Sequence, residues 1–364
     1  MAADYNEPGV TPRLTNMSDV ASHAGVSVMT VSNVINRPDI VSEKTKAKVL
    51  SSMRELRYRK STAATSLRLS KPTQIGYALP STQRSGDGYM DDFLYSLTAA
   101  CQAQGMHLTL IAADPEDWLS ACDALYYGGS AAGIIIGSIA PHDSRPAQLV
   151  SRSIPFAGYG QTLEGDSAPW SWVEIDEARG IELAVDHVVE RGRRQLAFIG
   201  LGVDAVWSAA RLGGYVAACR KHGLQRSVIA DRVSLATDEI AAGEVIAMQL
   251  LQSESPPDAI ICASDYLAVG AIFAVRALGF VPGVDVAVTG FDDTSLTSLG
   301  VIGITSVRQP STRIAQELVK MITDPPDQAL HLLLEPGLTV RSSTTGEAPV
   351  ASLRTRIGPG DPLP

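Results

Sequence analysis

The fold of the N-terminal region is decided by residues 17–56, which read MSDVASHAGVSVMTVSNVINRPDIVSEKTKAKVLSSMREL. Asn16 and Ser27 are favourable N-cap residues for two successive helices, and Gly25 between them is a typical helix C-terminus. Ser42 caps a third segment whose apolar residues recur at helical spacing. The pattern therefore predicts three short helices, over residues 17–24, 28–35 and 43–56.

The second predicted helix has two different faces. Its inward positions recur at helical spacing and are Val31, Val34 and Ile35. Its outward positions carry few charges and two large apolar side chains, and they are Val28, Met29, Ser32 and Asn33. The third helix combines a basic surface with an apolar face made of Val49, Leu50, Met53 and Leu56. An outward face this poor in charge is unusual for a plain solvated surface.

Two short helices joined by a tight turn and followed by a basic third helix are typical of a helix-turn-helix unit, whose second helix enters the DNA major groove. There Asn33 can make paired hydrogen bonds to a base, and Val28 and Met29 suit apolar contacts such as a thymine methyl group. Thr30, Ser32 and the N-terminal amides would position phosphates. The alternative is a three-helix bundle that contacts proteins.

The charges of the chain are unevenly distributed. Residues 1–72 carry 11 Lys and Arg against 6 Asp and Glu, which gives +5. The remainder carries 19 against 33, which gives −14. A basic head on an acidic body indicates contact with nucleic acid at one end only.

Length and composition are those of a soluble protein of two or three domains. The chain has 364 residues, of which 45% are hydrophobic and 19% charged, so it can bury a large core. Its longest apolar runs, such as residues 131–136, are far shorter than a membrane span, and its start lacks the pattern of a secretion signal. We therefore expect a cytoplasmic, nucleoid-associated protein.

Patterns typical of enzymes and metal sites are weak. The four cysteines are scattered without a CxxC pair, which disfavours zinc and a disulfide framework. There is no GxSxG motif, and the six histidines are dispersed. Residues 200–202 (GLG) follow a predicted strand but lack the third glycine of a dinucleotide-binding fingerprint. We expect no enzyme activity, no catalytic residues, no metal and no cofactor.

From Gln74 onward, strands and helices alternate. The predicted strands cover residues 75–79, 108–112, 133–136, 155–157, 172–175, 196–199, 233–235, 259–262 and 286–288. Amphipathic helices between them include residues 91–104, 178–191, 209–222 and 265–278. This alternation is typical of an α/β fold with doubly wound parallel sheets, and the number of strands suits two sheets better than one.

Such sheets bind ligands beyond the carboxyl ends of their strands. The residues at those positions are Asp114, Ser138, Gln161, Asp176, Asp265 and Asp292. Carboxylates and amides at so many strand ends indicate a pocket rich in hydrogen-bond acceptors, which suits a sugar or polyol. Strand-end aspartates also cap helices, so for each of them a structural role stays open.

The stretch DVASHAGVSVMTVSNVINRPDIVSEKTKAKVLSSMRELRY, residues 19–58, resembles the DNA-binding head of the lactose-repressor/galactose-repressor family of bacterial transcription regulators. The next segment, residues 61–68 (STAATSLR), resembles that family's hinge helix, which orders on the operator and inserts a leucine into the minor groove. The resemblance gives this role to Leu67, with Ala64 beside it, and such an apolar wedge would kink the DNA. An ordinary linker is the alternative. The chain departs from many relatives at Asn16, where they have threonine, and at Lys60-Ser61, where they have Pro-Asn.

The resemblance continues through the body, to about residue 345. The matching stretches are WVEIDEARG, RGRRQLAFIG, ARLGGY, CASDYLAVGAIFAVRALG, VAVTGFDD and ITSVRQP. They resemble the family's sensor core, a pair of subdomains similar to periplasmic sugar-binding proteins. The chain departs from many relatives at Gln161, where they have arginine, and at Glu177, where they have asparagine. A periplasmic solute-binding protein is the main rival interpretation of the body, but it would not carry the head.

The resemblance assigns effector-binding roles to particular residues. Arg211 matches a ligand-gripping arginine, Asp265 and Asp292 match ligand-binding aspartates, and Asp176 lies at another contact position. Tyr89 falls where an aromatic ring packs on the ligand, and Trp207 near Arg211 could stack on it or serve packing. The full predicted effector set is Tyr89, Asp114, Gln161, Asp176, Trp207, Arg211, Asp265 and Asp292. The full predicted DNA-binding set is Asn16, Ser27, Val28, Met29, Thr30, Ser32, Asn33, Ala64 and Leu67.

The sequence thus predicts an N-terminal all-α helix-turn-helix head joined to a two-subdomain α/β core. The predicted regions are a disordered start (1–13), the head (14–60), a hinge helix and linker (61–73), the ligand-binding core (74–345) and a disordered tail (346–364). The expected function is a repressor that binds a palindromic operator as a homodimer and responds to a small sugar-like effector. The expected partners are double-stranded DNA, the effector and a second copy of the chain.

Overall fold

A computed structural model of the chain describes residues 15–58, 72–79, 88–112, 114, 117–202, 205–224, 232–298 and 303–346. The chain divides into two compact units, residues 1–71 and residues 72–364. We call the first unit the head and the second unit the body. The predicted hinge helix and both predicted disordered ends lie outside the described residues, apart from Gly346 at the start of the tail.

The head contains the three predicted helices, each within one residue of its predicted ends. They are α1 (Met17–Ala24), α2 (Val28–Asn36) and α3 (Glu43–Glu55), with a 3-10 turn at Pro38–Ile40 between the last two. Gly25 ends α1 with a φ of 59°, a left-handed conformation that glycine adopts without steric cost. Val20, Val31 and Val49, one from each helix, are fully buried and form the centre of a small apolar core.

The predicted inner face of α3 needs one correction. Leu50 is 41% exposed, and the buried position is taken instead by Ser52, which is only 4% exposed. The Ser52 hydroxyl donates to the Lys48 carbonyl at 3.1 Å and lies 3.0 Å from His23 Nδ1 of α1. Burial of this serine is tolerated because its hydroxyl is hydrogen-bonded.

The body alternates strands and helices. Its strands are β1 (Gln74–Ala78), β2 (His107–Ile111), β3 (Ala131–Ile136), β4 (Phe156–Tyr159), β5 (Trp172–Ile175), β6 (Leu196–Leu201), β7 (Val233–Ala236), β8 (Ala259–Cys262), β9 (Ala287–Asp292), β10 (Thr305–Arg308), β11 (His331–Leu334) and β12 (Gly337–Thr339). Its helices are α4 (Gly88–Ala103), α5 (Trp118–Tyr127), α6 (Arg145–Ser151), α7 (Glu177–Glu190), α8 (Val206–Lys221), α9 (Ile240–Leu251), α10 (Asp265–Ala277), α11 (Ser311–Thr323) and α12 (Ser342–Thr345).

The strands form two six-stranded sheets. The first sheet has the order β11-β5-β4-β3-β1-β2 and is parallel throughout. The second has the order β12-β10-β9-β8-β6-β7 and is parallel except for β12, which pairs with β10 in antiparallel register. Strands such as β3 and β8 are continuous apolar runs because helices cover both faces of a parallel sheet. The predicted α/β architecture with two sheets is confirmed.

The chain crosses between the two sheets at three places. The first crossing lies between β5 and α7, the second between β10 and α11, and the third between β11 and β12. Helix α11 packs on β3, β4 and β5 of the first sheet, although it directly follows a strand of the second. Two subdomains joined by several short crossings are suited to hinged opening and closing around a ligand.

Within the ranges that the structure describes, no helix combines the length and apolar character that a membrane span requires. The same residues contain no grouping of histidine, cysteine and acidic side chains suited to a metal ion. All four cysteines are buried as free thiols.

Candidate functional site

The head presents an exposed surface at the start of α2. Val28 is 45% exposed and Met29 is 69% exposed, although side chains of this kind are usually buried. Asn33, one turn further along, is partly exposed. The helix therefore places one amide and two apolar side chains where they can contact another molecule.

Several of the other predicted DNA-binding residues have local structural roles in the head. Asn16 caps α1 by accepting from the Ser18 and Asp19 amides, and Asp19 accepts from the Asn16 amide in return. Ser27 caps α2 by accepting from the Thr30 amide at 3.1 Å. These caps fix the start of each helix. Two further predicted residues, Ala64 and Leu67, lie outside the described residues.

The body contains a cavity between the carboxyl ends of the two sheets. The first sheet lines it with residues at the ends of β3, β4 and β5 and with the start of α4, and the second with residues that follow β6, β7, β9 and β10. This is where doubly wound sheets bind their ligands. The lining residues are Tyr77, Tyr89, Met90, Ser138, Ile139, Tyr159, Gly160, Glu174, Glu177, Leu201, Trp207, Arg211, Asp238, Asp292 and Gln309.

Arg211 is the central cation of the cavity. Its Nε donates to Glu177 Oε2 at 2.6 Å, another of its nitrogens donates to the Ala263 carbonyl at 2.5 Å, and a third lies 3.6 Å from Asp292 Oδ1. Its guanidinium carbon lies 3.6 Å from the centre of the Phe291 ring and 4.8 Å from that of Trp207. Burial alone would lower the pKa of Arg211, but Glu177 and Asp292 more than offset this effect and raise it. The side chain is therefore a fixed positive charge held by two carboxylates.

A chain of hydrogen bonds connects the two subdomains across the cavity. The hydroxyl of Tyr89 contacts the hydroxyl of Tyr159, which donates to Gln309 Oε1 at 2.6 Å. Gln309 Nε2 then donates to Asp292 Oδ1 at 2.6 Å. Asp292 has a φ of 103°, a backbone conformation that is rare outside glycine and is commonly associated with functional sites.

Two buried glutamates lie beside this chain. Glu174 and Glu177 are each 5% exposed. Burial, with the nearby charge of Glu177, raises the pKa of Glu174 to about 8. Burial also raises the pKa of Glu177, but the guanidinium of Arg211 counteracts that effect. Arg211 and the Ile175 amide also act to lower the pKa of Glu174, but burial and Glu177 outweigh them, so Glu174 holds a proton near neutral pH.

Four of the eight predicted effector residues are brought together in the cavity. These are Tyr89, Trp207, Arg211 and Asp292. The structure places the other four elsewhere. Asp114 is exposed, Gln161 lies just beyond the lining residue Gly160, and Asp176 caps α7 by accepting from the Arg179 amide at 2.9 Å.

Asp265 has no exposed surface and does not line the cavity. Its carboxylate accepts from the Thr294 amide at 2.7 Å, from the Thr294 hydroxyl at 2.9 Å and from the Ser306 hydroxyl at 2.6 Å. Burial raises the pKa of Asp265 to about 7, against the opposing effect of these donors. In this structure Asp265 supports the loop that follows Asp292.

The head and the body each match a family model of known proteins. A model described as "Bacterial regulatory proteins, lacI family" matches residues 16–61, and one described as "Periplasmic binding protein-like domain" matches residues 185–344. Residues 16–61 thus match the lacI family of bacterial regulatory proteins, and they precede a periplasmic binding protein-like domain in the same chain.

The similar proteins cover nearly all of this chain. An HTH-type transcriptional regulator of Bacillus subtilis, YvdE, is 29% identical over 91% of this chain and 100% of its own length. The ribose operon repressor of Escherichia coli is 28% identical with the same coverage. The structure of the regulator CelR in complex with cellobiose is 26% identical, covers 90% of this chain and 99% of that one, and has a TM-score of 0.67. The lac repressor dimer bound to its operator is 24% identical with a TM-score of 0.74, which shows the shared fold.

The cavity also includes residues that were not in the predicted effector set. Among them are Glu174, Tyr159 and Gln309. Glu174 had a detectable signal, because a carboxylate inside the apolar strand WVEI is buried and needs a reason to be there. Tyr159 and Gln309 follow the rule for strand ends, but the end of β4 was predicted two residues early and β10 was not predicted.

Proposed function

We propose that this lacI-family regulator is a repressor that binds a palindromic operator as a homodimer and is controlled by a small sugar or polyol. It would act in the cytoplasm, on the chromosome. A two-fold symmetric pair of heads matches two half-sites of DNA. A nucleobase effector is the second candidate class.

The observation that carries this proposal is the coexistence of two surfaces in one chain. The head exposes Val28 and Met29 at the start of its second helix, and the body encloses a polar, aromatic cavity between two subdomains. An exposed apolar pair on a short helix suits base contacts, and a concave site with a few convergent polar groups suits a small ligand.

The lining of the cavity favours a hydroxylated ligand. Tyr89, Tyr159 and Trp207 offer ring faces or edges, and Asp292 and Gln309 offer oxygen and nitrogen atoms at the opposite subdomain. A related regulator binds cellobiose and another controls a ribose operon, as their names state, which supports a sugar for this chain.

The proposed coupling runs through the hinge segment. Paired hinges would order on the operator, with Leu67 as a wedge in the minor groove and Ala64 beside it. An effector that closes the two subdomains would disfavour this arrangement and weaken operator binding.

A melting-temperature screen of the purified full chain against monosaccharides, disaccharides, polyols and nucleobases tests the effector half. A ligand at about a hundred times its Kd adds roughly 2.7 kcal/mol of stability, which raises Tm by on the order of 5 °C. We expect a sugar or polyol to give this shift, and Asp292→Asn to reduce it. Asp327→Asn, which changes an exposed aspartate outside the cavity, is the control. A shift from a nucleobase alone would contradict the sugar assignment and keep the regulator.

A further inference from the structure

The charge of the cavity is unbalanced. Four of its described lining residues carry carboxyl groups, namely Glu174, Glu177, Asp238 and Asp292, and Arg211 is the only cationic side chain among them. Arg211 is already engaged by Glu177 at 2.6 Å and lies 3.6 Å from Asp292. With an uncharged ligand, the crowding of these carboxyl groups is relieved only by protonation of Glu174, whereas a cationic ligand would compensate their negative charge directly.

The carboxyl group of Glu174 has one oxygen that accepts no hydrogen bond from the described residues. Its Oε1 accepts from the Ile175 amide at 3.1 Å. Among the described residues, no donor lies within hydrogen-bonding distance of its Oε2, although the residue is only 5% exposed and lines the cavity. A carboxyl oxygen of a cavity-lining residue that accepts no hydrogen bond from the described residues is available to bind a ligand atom.

Resting on the proposed function, we propose that the effector carries an ammonium group as well as hydroxyl groups, as an amino sugar does, and that Glu174 binds the ammonium. The rings of Tyr89 and Tyr159 lie on the same side of the cavity and can face the same cation. Arg211 and Gln309 on the other side would bind hydroxyl groups.

Ammonium binding requires Glu174 to lose a proton. Several charged or titratable groups face it: Glu177 from α7, Arg211 from α8, Tyr159 from β4 and Tyr89 from α4. Without a ligand, burial and Glu177 hold the pKa of Glu174 at about 8. A bound cation lowers that pKa, so binding at lower pH releases one proton and affinity rises with pH.

The test uses matched pairs of probes that differ by one amine: D-glucosamine with D-glucose, D-galactosamine with D-galactose, and D-mannosamine with D-mannose. Each is titrated into the full chain by calorimetry. In at least one pair we expect the amine to bind about tenfold more tightly or better. Its affinity should rise by up to about tenfold per pH unit between about pH 5.5 and about pH 7, with proton release visible in buffers of different ionisation enthalpy.

Two variants identify the residue responsible. Glu174→Gln keeps the shape of the neutral acid and should abolish both the amine preference and the pH dependence. Glu254→Gln, which changes an exposed glutamate outside the cavity, should retain both. Neutral sugars that bind as well as their amines, absence of binding by all three amines, or a preference that survives Glu174→Gln would each overturn the proposal. Binding of the neutral sugars as tightly as their amines would overturn the amine assignment while supporting the sugar-controlled regulator.

Discussion

At the scale of single residues, the side chain of Arg211 has both a structural role and a place in the candidate binding site. Its guanidinium neutralises Glu177 at 2.6 Å and also lines the cavity. Both partners are about 5% exposed, so loss of either one leaves a buried charge without compensation. A substitution at Arg211 is therefore expected to lower the stability of the body, and any loss of ligand binding has to be measured together with that change.

We expect Arg211→Ala to lower the free energy of unfolding of the body by about 3–5 kcal/mol, as the breaking of a buried ion pair does. The control is Arg179→Ala, which removes a partly exposed pair with Glu182 at 3.2 Å and a longer one with Asp186 at 3.8 Å, and it should cost less than about 1 kcal/mol. Urea unfolding of both variants measures the difference. Equal costs would show that Arg211 does not hold the cavity together.

Asn33 is the single residue whose side-chain amide is proposed to select a base in each operator half-site. Asn33→Ala should relax the preference at one position of each operator half-site and cost about 1–3 kcal/mol of discrimination there. Selection of binding sequences from a random DNA pool measures this. The control is Ser22→Ala, at an exposed position of α1. An unchanged selected sequence for Asn33→Ala would show that Asn33 does not read a base.

At the scale of elements, α2 and α3 begin in the same way but have different proposed roles. Ser27 and Ser42 each accept from the amide three residues ahead, at 3.1 Å and 3.4 Å. Replacing either with alanine should cost about 1 kcal/mol of head stability. Only Ser27→Ala should also weaken operator binding well below the melting temperature, because Ser27 lies at the start of the proposed recognition helix. Equal losses of operator affinity in the two variants would contradict that role.

The hinge segment is the second element with a test of its own. Leu67→Ala should reduce specific operator affinity while leaving binding to random DNA and its salt dependence nearly unchanged, because a wedge acts on a base step and not on phosphates. Binding titrations on operator and random duplexes at several salt concentrations measure this. Equal losses on both duplexes would rule out the wedge.

The strands that could be predicted from the sequence are those with a clear pattern of apolar residues. Continuous apolar runs such as those of β3 and β8 identified the buried strands, and residues 172–175 and 259–262 were predicted with the bounds observed. Strands β10 (TSVR) and β12 (GLT) were not predicted, because polar residues and glycine replace a continuous apolar run. Strand β11 (HLLL) was also not predicted, and Glu335 and Pro336 directly follow it. The rule for strand ends found Asp292, but it does not distinguish a ligand contact from a cap such as Asp176 or a buried support such as Asp265.

At the scale of the whole molecule, the proposed function requires that the body influences the head. The body has three crossings between its sheets, and its cavity lies where movement of one subdomain against the other changes the contacts of a ligand. The hydrogen bonds from Tyr159 to Gln309 and from Gln309 to Asp292 join the two sides in this structure. A ligand that binds the two states with different affinity shifts their balance by that difference.

The most direct test of the account is the affinity for operator DNA, measured with and without the sugar or amino sugar that the screens identify. We predict that a saturating effector weakens operator binding by about fivefold to 150-fold, and that operator DNA weakens effector binding by the same factor. Non-specific binding should change little. An operator affinity that is identical with and without the bound effector would contradict the account, because the cavity would then have no influence on the head.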